Sequence, residues 1–264
     1  MTSGSPNRGF DAGRLMSLPS LYHPSFEHDA CGIGCIAHLD GKPTHGLIED
    51  ALRMLINMEH RGATGADPDT GDGAGILLQL CDPYFQDIAK EVGLELPEKG
   101  TYGVGMTFLP KDERLKRRCK SHILACCKEL KFELIGYRKV PTRGRHAGIG
   151  ITARNSEPAI EQVFVKSKEK LGSEVLERKL YVLRKRIALT LDEECQKDFH
   201  FASFSSQTII YKGQLTTEQL KFFYSDLLDS RFKSAIGVVH SRFSTNTVPS
   251  WAMAQPFRYL AHNG

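Results

Sequence analysis

The sequence predicts a mixed α+β or layered α/β fold, on three observations. Apolar residues recur at helical spacing in some segments. Short runs rich in glycine and branched residues lie between them. The two kinds follow one another without the strict alternation that a doubly wound parallel sheet requires. With 264 residues, 41% hydrophobic and 25% charged, the chain can build a substantial core, which excludes disordered, collagen-like and coiled-coil classes.

Residues 1–30 are rich in Ser, Pro and Gly and contain no apolar core of a secretory signal. Glu27, His28 and Asp29 argue against a transit peptide, so a flexible leader is expected. At Cys31 the texture changes to Cys-Gly-Ile-Gly-Cys-Ile-Ala-His-Leu, a buried strand. Leu47, Ile48, Ala51, Leu52, Leu55 and Ile56 then predict an amphipathic helix over about 45–59, with Gly62 as its stop. Residues 63–75 form a Gly- and Asp-rich loop, and a strand resumes at Gly75–Leu78.

Tyr102–Leu109 reads as a strand. Leu115, Cys119, Ile123, Cys126 or Cys127, and Leu130 mark a second helix. Phe132–Val140 is a strand, followed by a loop rich in Arg and Gly. Leu180–Ile187, Phe201–Ser205 and Thr208–Tyr211 have strand character. Thr216 and Gln219 form a capping box that opens a helix through Leu220, Phe223, Leu227 and Leu228. Ile236–His240 is the last strand.

The net charge of +4 is small and both signs are interspersed, which argues against a nucleic-acid binder. The basic stretches Arg114–Lys120 and Arg138–Arg145 are expected to be solvated surface. No window approaches the ~18–20 apolar residues of a membrane span. Seven cysteines at irregular spacing read as reduced thiols. A cytoplasmic location is expected, with organellar targeting by the leader left open.

Several residues have the chemistry for catalysis, each with an ordinary alternative. A thiol attacks only as thiolate, and at its usual pKa near ~8.5 Cys31 needs a base. Cleavage between Ala30 and Cys31 would place an α-amine, pKa ~7.7–8.0, on the same residue. The alternative for Cys31 is a small buried hydrophobe. Arg61 and Arg242 can each clamp a carboxylate, and either can instead face water. Arg242 lies in His240–Thr247, dense in hydrogen-bonding groups, where Ser244 and Thr245 are further candidate substrate contacts. Asn263 and Gly264 offer an amide side chain beside a glycine N–H, a pair suited to an oxyanion; their alternative is a plain turn. Cys31, Cys35, His38 and His45 mimic a metal-ligand series, but no Cys-x-x-Cys partner accompanies them. Gly71–Gly75 lacks the Lys of a phosphate loop and precedes a strand, so a tight turn is the better reading.

The order of these motifs is more specific than any one of them. His28-Asp29-Ala30-Cys31-Gly32-Ile33-Gly34, Asn57–Ala63, Thr70–Ile76, His240–Thr247, Pro249-Ser250-Trp251, Ala254-Gln255-Pro256 and Leu260–Gly264 closely resemble the N-terminal part of the large subunits of the glutamate synthase family. Glu177–Tyr181 and Ile209–Gly213 fit it too. The resemblance implies a four-layer αββα N-terminal-nucleophile sandwich, with residues 1–30 as a removed leader and 31–264 as part of a class II glutamine amidotransferase domain, incomplete at its C-terminus. It implies Cys31 as nucleophile, its freed amine as proton shuttle, Asn263 and Gly264 as oxyanion hole, Arg242 as the glutamine carboxylate site and Arg61 in support. The substrate would be glutamine. The implied partners are a synthase domain of the same polypeptide and an electron-donating subunit or domain, with no nucleic acid or membrane. FMN and an iron–sulfur cluster are implied for the full-length protein, with none in this chain. The competing expectations are an inactive fragment or non-catalytic interaction module of the same fold, and a metal or redox protein built on the cysteines.

Overall fold

In the computed structural model, which describes residues 32–244, 246–258 and 260, β1 (Ile33–Ala37) leads into α1 (His45–Asn57). The Thr44 side chain caps α1 by accepting from Leu47 N, and its Leu47, Ile48, Ala51, Leu52 and Leu55 are buried. A 3-10 turn, Glu59–Arg61, precedes β2 (Ala74–Gln79) and α2 (Asp82–Glu91). Next come β3 (Tyr102–Leu109), α3 (Glu113–Glu129), β4 (Phe132–Lys139) and the short α4 (Ile151–Asn155). They are followed by β5 (Ala159–Ser167), α5 (Ser173–Thr190) and α6 (Glu193–Gln196). The hairpin of β6 (His200–Ser205) and β7 (Thr208–Gly213) precedes α7 (Thr217–Phe223) and β8 (Ile236–Ser241).

The strands form two antiparallel sheets of four, ordered β1-β8-β2-β7 and β4-β5-β3-β6. Alternation along β3 shows how the core is divided. Tyr102, Val104, Met106 and Phe108 join the main cluster, which also takes Ile76 and Leu78 of β2, Val239 of β8 and apolar residues of α1, α2 and α7. The opposite face of the second sheet, with Val163 and Val165, packs on Ile123 of α3 and on Leu176, Leu180, Leu183 and Ile187 of α5. The result is an α+β sandwich of sheets and helices.

The structure corrects several expectations. Leu180–Ile187 is helical, inside α5. Its four buried apolar residues recur at intervals of three and four, so one helical face meets the sheet; the short apolar run hid that period. The helix begun at Thr216 ends at Phe223, because Tyr224 turns extended and buries its ring, its hydroxyl donating to the Lys212 carbonyl at 2.7 Å. Leu227 and Leu228 fall in a separate 3-10 turn, Ser225–Leu228. Arg138 is buried, not solvated. Its guanidinium donates to both Asp226 carboxylate oxygens at 2.8 and 2.9 Å and to Gln162 Oε1 at 3.0 Å. The helix α2 and the strand β5 carried no recognised sequence signal. Pro83 opens α2 in its first turn, and Tyr84, Phe85, Ile88 and Ala89 are its buried face.

Candidate active site

The antiparallel register Ile33↔His240 sets the start of β1 beside the end of β8. There the Ser241 N–H donates to the Gly32 carbonyl at 2.7 Å. Cys31 is the residue before Gly32. It lies outside the described residues, as do Thr245, Asn263 and Gly264.

The 3-10 turn after α1 carries Arg61 to the same place. The Ala63 N–H donates to the Arg242 carbonyl at 3.3 Å, the Arg242 N–H to the Gly73 carbonyl at 2.8 Å, and the Asp72 N–H to the Ala63 carbonyl at 2.8 Å. Three segments far apart in sequence are thus laced by backbone hydrogen bonds. The loop before β2 is a tight turn, as the sequence suggested. Gly73 has φ 148° there, a conformation that favours glycine.

Arg242 is 8% exposed. Its Nη2 donates to Thr247 Oγ1 at 2.7 Å and to Ser244 Oγ at 3.3 Å. Its Nη1 is buried and has no hydrogen-bond partner among the described residues, and the same holds for Arg61 Nε and Ser241 Oγ. Buried donors are ordinarily satisfied, so a cluster of unsatisfied ones marks where an acceptor belongs. Ser244 is held in place from two sides. Its N–H donates to Asp72 Oδ2 at 2.6 Å, and its hydroxyl donates to the Thr247 carbonyl. It therefore helps to orient the guanidinium. A cavity of about 200 Å³ opens beside these groups, lined by Glu59, Gly62, Ala63, Thr216, Ser241 and Arg242 among others. Arg242 lines this cavity, and a guanidinium fork can bind a carboxylate in bidentate fashion.

Of the cysteine–histidine series, Cys31 lies outside the described residues, and Cys35, His38 and His45 do not gather. Cys35 is exposed, His38 accepts from Asp40 N, and the His45 ring lies 2.9 Å from the Phe232 carbonyl. Among the described residues no group of three or more His, Cys, Asp or Glu could hold a metal ion, so these side chains do not fit a zinc ion or an iron–sulfur cluster. Among them, too, no helix is long and apolar enough to cross a membrane. Sequence reasoning gave no role to Asp72 or Thr247, although both lie in the motifs it quoted. Their part is to orient the 242–247 loop, which only the fold reveals.

Comparison with known proteins agrees with this geometry. The family model for class-II glutamine amidotransferases matches residues 31–264. The chain is 49% identical over 253 residues to the large chain of a glutamate synthase [NADPH] from Bacillus subtilis, covering 95% of this chain and 16% of that protein. It is 41% identical to the chloroplastic ferredoxin-dependent glutamate synthase of Spinacia oleracea, covering 99% and 16% respectively. It is 37% identical to the glutamate synthase [NADH] of Schizosaccharomyces pombe, covering 100% and 12%. The chain therefore spans about one sixth or less of the length of these relatives. On the strength of the family match, which begins at Cys31 and includes every segment laced around Arg242, the chain belongs to the class-II glutamine amidotransferases.

Proposed function

We propose that this chain is the glutamine-hydrolysing portion of a glutamate synthase, and that the ammonia it releases aminates 2-oxoglutarate in a synthase domain. The observation that supports the reading is the buried Arg242, whose Nη1 has no hydrogen-bond partner among the described residues and which lines the small cavity together with Ser241.

In this reading residues 1–30 are removed and the α-amine of Cys31 accepts the thiol proton. The sulfur attacks the side-chain amide carbon of glutamine, whose α-carboxylate is held by Arg242. Arg61 supports the site, and Ser244 and Thr245 contact the bound substrate. The Asn263 side-chain amide and the Gly264 N–H donate to the tetrahedral oxyanion, a contact worth about 2.7–4 kcal/mol per donor. The C–N bond then breaks, the α-ammonium returns its proton to the leaving nitrogen, and ammonia departs. Water cleaves the resulting γ-glutamyl thioester to glutamate and restores the thiol. FMN, the iron–sulfur cluster and the electron-donating partner belong, in this reading, to the rest of the polypeptide and its subunits. The free cysteines support a reducing compartment such as the cytoplasm.

Incubation with a diazoketone analogue of glutamine, followed by intact-mass measurement, tests the assignment. A single adduct on an N-terminal Cys31, lost in Cys31→Ala together with ammonia release from glutamine, is the expected result. An intact Ala30–Cys31 bond in an active preparation overturns the amine as base.

A further inference from the structure

Residues 252–257 lie against the first sheet, and a buried cation that the reaction above does not use holds them there. Side chains alternate along β7, so Lys212 leaves the face that Tyr211 gives to the main cluster. Lys212 is 0% exposed. Its Nζ donates to the Ala252 and Ala254 carbonyls at 2.9 and 2.7 Å and lies 4.4 Å from the centre of the Phe257 ring. Burial, with the charges of Arg242 and Arg184, pushes its ammonium down to about 7. An apolar side chain of equal length would fill this space without the desolvation cost of a cation. What the lysine adds is a grip on two backbone carbonyls.

The gripped residues touch the turn on which Arg242 rests. Lys212 is paired in register with Gly75 of β2, and Gly75 with His240 of β8. A side-chain carbon at Gly75 would come 2.2 Å from the Gln255 carbonyl oxygen, so only glycine permits this close approach. Two residues earlier, a side-chain carbon at Gly73 would lie 3.0 Å from Ala254 Cβ and 3.6 Å from Arg242 Cβ. Ala254 is itself buried. The Gly73 carbonyl in turn accepts the Arg242 N–H at 2.8 Å. A short chain of contacts therefore runs from the Lys212 ammonium through Ala254 and Gly73 to the backbone of Arg242.

We propose that Lys212 is a positioning residue for the carboxylate site: it fixes the Ala254 carbonyl, and Ala254 packed against Gly73 sets where Arg242 sits at the end of β8. The proposal rests on the carboxylate-binding role given above to Arg242. Asp72 secures the same loop two residues further on, through the Ser244 N–H. Lys212 secures the residue that packs against Gly73, and so acts on Arg242 from the other side of that turn.

The test uses the whole chain and Lys212→Met, which keeps the side-chain length without the charge. KM for glutamine is expected to rise about five- to tenfold while kcat changes less than about threefold, because the carboxylate site shifts and the reacting groups do not. In an Arg242→Lys background the same substitution is expected to add less than about twofold, since both act on one contact. An unchanged KM, a loss carried by kcat alone, or a full additional rise in the Arg242→Lys background overturns the proposal. Amide hydrogen exchange reads the link without reference to activity. The Arg242 N–H is expected to exchange at least about tenfold faster in Lys212→Met, while β3 and β5 keep their protection; equal protection at Arg242 overturns the proposal. Should Lys212→Met fail to fold, Ala254→Gly, which removes only the methyl facing Gly73, carries the same measurements with a KM rise of about two- to threefold expected. A parent chain whose KM is indifferent to Arg242→Lys overturns the carboxylate assignment instead, and exchange at Arg242 then judges the contact separately.

Discussion

Arg242 shows how a single side chain can be half satisfied and for that reason informative. One terminal nitrogen is spent on Thr247 and Ser244, the other is buried and open. Replacing the planar fork by a point charge, Arg242→Lys, is expected to raise KM for glutamine by about tenfold or more with little change in kcat, since lysine cannot grip a carboxylate at two points. Initial rates against glutamine concentration check this, and a loss carried by kcat alone contradicts it. Gly73 makes a different point. Its φ is 148°, and the methyl of an alanine there would sit 3.0 Å from Ala254 Cβ. Gly73→Ala is therefore expected to cost about 1–3 kcal/mol of stability, read as a lower urea midpoint. At this scale the sequence singled out Arg242 in His240–Thr247 but could not show that its guanidinium is buried. It was silent on Lys212, because nothing in Tyr-Lys-Gly says that the lysine points into protein.

Elements were legible where their period survives over a full helix or strand, as in α1, whose Leu47, Ile48, Ala51, Leu52 and Leu55 all face inward. They were misread where a short apolar run fits both periods, as at Leu180–Ile187, and missed where the helix is short, as in α2 with its ten residues. The capping box of α7 was read correctly from Thr216 and Gln219. Thr216→Ala is expected to lower stability by about 1 kcal/mol in chemical denaturation. Arg138 belongs to this scale too, because it ties β4 to the turn after α7 through Asp226. Tyr211 also donates to that carboxylate, at 2.9 Å. Asp226→Asn leaves a buried guanidinium uncompensated and is expected to cost about 3–5 kcal/mol; a variant as stable as the parent in urea refutes the buried pair as an anchor.

Over the whole molecule, burial creates a pH response. His200 at the start of β6 is pushed down to about 3 by burial and by the charges of Lys212 and Arg184. The unfolded chain, in which the ring has its ordinary value of 6.5, takes up the proton first as pH falls. Stability from this residue is therefore complete above about 6.5 and lost progressively toward 3. Thermal unfolding between pH 7 and 4 is expected to show a steeper acid loss in the parent than in His200→Gln, and parallel curves would exclude the effect. The sequence by itself determined the mixed α+β class and the family, because periodicity and ordered motifs are local properties of a chain. Tertiary structure alone decided which arginines are buried and which loops meet Arg242. It also decided that Lys212 is buried and donates to the Ala252 and Ala254 carbonyls, since burial and long-range register arise only when distant strands such as β1 and β8 pair.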